Sequence, residues 1–300
     1  MEFMRFFKYL LKNPKVGLIF TTILLVFFVS VLLNSYFVKG EIVSRGIDFT
    51  GGTQAIIEVS AAPTQEKMDA LTAAATKISS ETRVRFVQAT PPYISIESDK
   101  ELTTNQITEL LNGEMISFTN VNVRVIGAAL SSAFLSQAVW AIIFAFIAMS
   151  IVVFFAFKIF VPSLAVILCG VCDMTAALAL MNIFDVKLSL ASLAALLMII
   201  GYSVDTDVLL TTRLLKRKEG GTVEERIASS AKTGLTMTTA AIVAMVILLF
   251  LTSATVLFQI ATVIIFGLLA DVPFTWLQNV GILQFYIHRE EKKKAKKEAK

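Results

Sequence analysis

Charge is what this sequence has least of. Asp, Glu, Lys and Arg make up 17% of its 300 residues, while 56% are apolar. Ordinary globular domains carry about 25% charged and about 45–50% apolar residues. That balance excludes a soluble enzyme. The shortage is also concentrated. No charged residue lies between Lys15 and Lys39, none between Arg124 and Lys158, and Asp271 is the one charge from Thr233 to Tyr286. Cysteine is nearly missing too. Cys169 and Cys172 both sit in an apolar run, so the polar part of the chain has no disulfide framework. Thiols in hydrocarbon are unreactive, and their C-x-x-C spacing reads as packing rather than redox chemistry. No dinucleotide or P-loop pattern is present. No catalytic residue, cofactor or metal site is expected.

What is present is long apolar sequence. Runs of about 18 or more such residues read as membrane spans. Six are expected: 16–38, 136–157, 159–183, 190–210, 235–251 and 256–277. The first is too long for a signal-peptide core of about 7–15 residues, so it reads as a retained span. The stretch from Thr233 to Ile287 would cross a bilayer more than twice at about 1.5 Å per residue, which favours two spans there.

The placement of Lys and Arg gives an orientation. The amino terminus (1–15), the Lys158 turn, the loop 213–233 and the tail 288–300 together carry 18 of them; the two short loops of opposite parity carry only Lys187. By the positive-inside rule both termini are cytoplasmic. The net charge of +4 therefore reflects topology rather than nucleic-acid binding. The lysine-rich tail reads as a solvated or lipid-headgroup segment.

Residues 39–132 differ in kind, with 8 Lys/Arg and 11 Asp/Glu. Alternating segments at 53–60, 83–89, 93–97 and 118–126 predict strands, and 64–79 and 103–113 have helical spacing. The order strand–helix–strand–strand–helix–strand is that of a ferredoxin-like domain. The expected fold is thus a polytopic α-helical membrane protein of six transmembrane helices, with an external α+β domain between helices 1 and 2.

Four acids fall in or near hydrocarbon: Asp173, Asp205, Asp207 and Asp271. A charge at the bilayer centre costs about 2.5–3.5 kcal/mol on insertion scales, so each is a candidate functional group; the alternative is a structural, hydrogen-bonded aspartate. Asp205 and Asp207 are two apart, about 200° around a helix, and cannot both face one pocket of a regular helix. Asp205 shares a face with Gly201 and Tyr202, Asp207 with Ser203 and Thr211. Asp271 precedes Pro273, which removes one backbone donor. Lys232 is a candidate counter-charge in a hydroxyl-rich helix start. The segment Asp48, Phe49, Thr50, Gly51, Gly52 follows the first span, and its paired glycines permit a turn with positive φ into the first strand.

These motifs resemble the SecD/SecF family of the resistance–nodulation–division superfamily, in its archaeal form. D-F-T-G-G at Asp48–Gly52 resembles that family's signature after the first helix. Cys172-Asp173 stands where the family has a His-Asp pair. G-Y-S-V-D-T-D at Gly201–Asp207 is similar to its G-Y-S-x-N-D-T, which places Asp205 opposite the asparagine and Thr206 opposite the aspartate assigned to proton coupling. A-K-T-G-L-T-M-T at Ala231–Thr238 resembles S-R-T-x-x-T-S, with Lys232 in place of arginine. The resemblance implies a SecD partner supplying six further helices, a SecYEG-type channel, a translocating polypeptide, and use of the proton gradient. It makes Asp205 the first choice for proton relay, Lys232 its cation, and Asp207, Asp173 and Asp271 further candidates. A self-sufficient proton-coupled exporter of small molecules and a passive structural subunit are the competing readings.

Overall fold

The computed structural model describes residues 13–79, 82–88, 91–216, 221–252 and 254–298. The basic start at Arg5, Lys8 and Lys12, the end of the second expected strand at Ala89 and the middle of the 213–233 loop lie outside the described residues. Among the described residues, six helices are long and apolar enough to cross a membrane. Helix α1 (Pro14–Lys39) begins with proline at its first turn, where no backbone donor is needed, and ends on Gly40 in the left-handed region. A single turn, α2 (Ile47–Thr50), leads into the polar domain.

That domain runs β1 (Gly52–Val59), α3 (Gln65–Thr76), β2 (Arg83–Val87), β3 (Tyr93–Ser98), α4 (Thr104–Gly113) and β4 (Phe118–Ile126). The sheet order is β2-β3-β1-β4, every pair antiparallel. This is the connectivity expected from the sequence. Alternation decides the faces: Ala55, Ile57 and Val59 point one way and bury with Ile94 and Ile96 against Leu71, Ile107 and Leu111 of the two helices. The opposite face, with Gln54, Ile56 and Glu97, has no helix of its own and looks onto the membrane-spanning part.

Helices α5 (Ala128–Phe157), α6 (Phe160–Ile183), α7 (Leu190–Leu215) and α8 (Val223–Leu251) follow, then α9 (Thr255–Pro273), a π-helical turn (Phe274–Asn279) and α10 (Val280–Glu298). Helices α6, α7 and α9 form the centre of the bundle, and α9 packs on α6, α7 and α8. Close approach is set by glycine. A Cβ on Gly234 of α8 would lie 2.2 Å from the Trp276 ring, and one on Gly267 of α9 would lie 2.4 Å from Ile199.

Three boundaries differ from the sequence expectation. Helix α5 starts at Ala128, directly after β4, rather than near 133. The 213–233 loop contracts: α7 continues to Leu215, and α8 starts at Val223 because Thr222 and Glu225 form a reciprocal capping box. The last helix does not stop near Leu277. Pro273 is absorbed by the widened π turn, and helix then continues to Glu298, past the apolar run.

Candidate functional site

Two polar assemblies stand out, one deep in the bundle and one at the seam between bundle and sheet. The deep one is built from Asp173 on α6, Asp207 on α7 and Asp271 at the end of α9, all at most 2% exposed. Their hydroxyl and amide partners come from the same helices and from the π turn. Ser203 Oγ donates to Asp173 Oδ2 at 2.5 Å. Thr206 Oγ1 lies 3.2 Å from both oxygens of Asp271. Asn279 Nδ2 donates to Asp207 Oδ1 at 2.7 Å. Thr275 Oγ1 stands between two acids, 3.0 Å from Asp207 Oδ1 and 2.8 Å from Asp271 Oδ1.

The Thr275 bridge limits the chemistry. A hydroxyl has one proton to donate and otherwise accepts. It satisfies both contacts only when it donates to one carboxylate and accepts from the other, protonated, one. Two carboxyls joined through such a hydroxyl can share one proton between them. Among the described residues, no lysine or arginine pairs with any of the three acids. No group of three or more His, Cys, Asp or Glu there could hold a metal ion. Cys169 and Cys172 are buried beside the cluster, Sγ of the first 3.6 Å from Thr275 Oγ1 and that of the second 3.6 Å from Gln278 Nε2.

Of the residues singled out from sequence, Asp173, Asp207 and Asp271 are brought together, and Asp205 and Lys232 are not. Asp205 lies on the exposed face of α7, beside exposed Tyr202, and Lys232 is exposed on α8. Asp205, the first choice for proton relay, and Lys232, its expected cation, thus stand outside the deep cluster. Helix α7 is regular from Leu190 to Leu215, so only one of the two neighbouring acids can face inward. Packing turned the Ser203, Asp207, Thr211 face toward α6 and α9. Thr206, opposite the family's coupling position, is buried and takes part as a hydroxyl. Thr275 and Asn279 were missed. Their signal was available: Asp271, Thr275 and Asn279 recur every fourth residue in a run whose one other polar side chain from 271 to 279 is Gln278.

The second assembly holds Asp48. Its short helix ends at Gly51 and Gly52, with φ of 78° and 112°, and the chain turns directly into β1, as the paired glycines predict. Asp48 is 3% exposed. Its Oδ2 accepts from the backbone N–H of Leu190, the first residue of α7, at 2.8 Å, and its Oδ1 pairs with Arg124 of β4 at 2.5 Å. A carboxylate at a helix N-terminus is favoured by the helix dipole. Around it, Gly46 N–H donates to Leu188 O and Leu188 N–H to Ser44 O. Lys187 pairs with Glu97, and Arg85 with Asp185. The Tyr93 phenol, pushed above its ordinary value by burial, bonds Thr255 at the start of α9. The sheet is thereby tied to the domain-side ends of α7 and α9, the helices that carry Asp207 and Asp271.

Comparison with known proteins agrees with this architecture. The family described as "Protein export membrane protein SecD/SecF, C-terminal" matches residues 106–289. The chain is 39% identical to the protein-export membrane protein SecF of Pyrococcus furiosus over 94% of both chains. It is 38% identical to that of Methanocaldococcus jannaschii over 95% of this chain and all of the relative. Among solved structures, SecDF from Thermus thermophilus, titled a translocon-associated membrane protein, superposes with a TM-score of 0.77 at 18% identity. The match covers 93% of this chain and 38% of that one. The same fold is matched in the super-membrane-facing form of SecDF with a TM-score of 0.53. With six helices long and apolar enough to span a membrane among the described residues, a family match over residues 106–289 and relatives covered over 94% or more of their length, this chain belongs to the SecD/SecF family of protein-export membrane proteins.

Proposed function

We propose that this multi-pass protein acts with a SecD subunit to assist the passage of polypeptides through a SecYEG-type channel. In this reading it draws on the proton gradient, with Asp173, Asp207 and Asp271 as the groups that take up and release protons. The observation that carries the proposal is the burial of three acids from three spans with no basic partner among the described residues, two of them sharing the Thr275 hydroxyl and the third bonded to Ser203. Three buried charges would each cost about 2.5–3.5 kcal/mol, a burden that a purely structural site need not bear. The partner is supported by the outer surface. Asp205, Tyr202 and Lys232 stand exposed on α7 and α8 at bundle depth, and lipid alone is a poor environment for them. The SecDF chain of like fold is far longer than this one, which leaves room there for a second half.

The test is export of a reporter protein by vesicles containing the assembled complex, with and without a gradient. Replacing Asp173, Asp207 and Asp271 together by Asn should remove the stimulation by the gradient while the complex still co-purifies with SecD. Stimulation persisting at the parent level would favour the passive structural reading.

The orientation proposed has both termini in the cytoplasm, the sheet domain outside and the basic tail among anionic headgroups. Single cysteines at Asp69 and Asn105, both exposed on the domain, should react with an impermeant thiol reagent added to intact cells. A cysteine at Glu224, in the first turn of α8, should react only after lysis. External labelling at Glu224 would overturn the orientation.

A further inference from the structure

The surroundings of the carboxylate cluster are unlike on its two sides. Toward the domain lies an apolar layer in which Leu196, Val263, Ile264, Ala177 and Met181 are at most 1% exposed. On α9, every residue from Val263 to Ala270 is apolar or glycine. At the centre of the layer, Ile199 lies flat on Gly267: a Cβ there would fall 2.4, 2.5 and 2.7 Å from three carbons of the Ile199 side chain. Toward the α7–α8 turn the interior is polar. Thr211 Oγ1, Trp276 Nε1, Asn279 Oδ1 and Asp207 Oδ2 are all buried and have no hydrogen-bond partner in the protein. Thr211 lies one turn beyond Asp207, and Asn279 two turns beyond Asp271. An unsatisfied buried polar atom costs about 1–3 kcal/mol. Internal water removes that cost, and apolar cavities stay dry.

We propose that the cluster exchanges protons with the α7–α8 side of the bilayer through water held along Thr211, Trp276 and Asn279. Ile199 seated on Gly267 is the gate that closes the domain side. The proposal rests on the cluster being the proton-binding site. Access from the domain side requires α7 and α9 to separate at Ile199 and Gly267. The domain-side ends of these two helices are the ones that the sheet grips, through Asp48–Leu190 and Tyr93–Thr255.

Hydroxyl-radical footprinting of the complex with SecD in lipid nanodiscs tests the asymmetry. Trp276 and Met181 are both intrinsically reactive and both 0% exposed, so burial alone predicts equal protection. A water path beside Trp276 predicts about tenfold or more faster modification there than at Met181. Equal rates at the two residues would overturn the proposal. The gate is tested by Ile199→Ala, with Ile199→Val as the milder variant should the first not assemble. Either should raise Met181 modification severalfold and admit a proton leak in proteoliposomes under an imposed potential. Unchanged Met181 labelling and no leak would overturn the gate. If the leak appears but persists undiminished in Ile199→Ala, Asp207→Asn, the gate stands and the assignment of the proton to these acids falls. If Trp276 and Met181 label alike while the triple Asn variant loses its gradient response, the access route falls and the proposed function stands.

Discussion

Asp207→Asn is expected to abolish the gradient-dependent part of export, and Asp205→Asn to leave it at the parent level. The two acids are two residues apart on one helix, and the contrast follows from what each touches. Asp207 is 0% exposed and shares Thr275 with Asp271. An amide in its place keeps the shape but can neither release a proton nor receive one. Asp205 is on the outer face of α7, away from Thr275 and the three clustered acids, so a neutral isostere there leaves the protons of the cluster in place. Each proton crossing the field gains about 2.3 kcal/mol per 100 mV, so losing that input shifts a two-state arrangement severalfold or more. The measurement is reporter export in energised vesicles, with and without an uncoupler, at matched levels of complex. The reverse ranking, with Asp205→Asn inactive and Asp207→Asn unaffected, would sink the assignment of the deep cluster.

Gly52→Ala is expected to have the largest effect on folding. At φ 112° the residue occupies backbone space that L side chains rarely adopt, and a Cβ would lie 2.1 Å from the Ser98 carbonyl oxygen of the neighbouring strand. The strain costs about 1–3 kcal/mol and the forced separation of β1 from β3 about as much again. Both fall on the turn that carries Asp48 onto α7. Thermal unfolding of the purified complex should therefore start at a clearly lower temperature, and the domain should become sensitive to limited proteolysis. Gly113→Ala is the control. Gly113 ends α4 with nothing within 4 Å of an added Cβ, so that variant should melt within a degree or two of the parent. Equal behaviour of the two would show that the turn does not need glycine at position 52.

Much of this was legible in the chain. The spans follow from runs without charge, because the cost of placing charge in hydrocarbon is summed residue by residue along the sequence. The domain follows from two periodicities, alternation in Thr53–Val59 and helical spacing at Ile107, Leu110 and Leu111. Gly51 and Gly52 pointed to the turn they make. Asp173, Asp207 and Asp271 were recognisable as costly acids. Their meeting was not. A helical pattern says that Asp205 and Asp207 face opposite ways; which of them faces inward depends on which side of α7 packs on α6 and α9, a relation between helices far apart in sequence. The same holds for Thr275. Its role exists only because the π turn after Pro273 sets its hydroxyl between Asp207 and Asp271, 68 and 4 residues away. The seat of Asp48 on the first backbone N–H of α7, 142 residues on, is likewise a tertiary fact. Hydropathy and period are local properties and can be read from the chain. Facing and hydrogen-bond closure belong to pairs of segments, and only the packed molecule decides them.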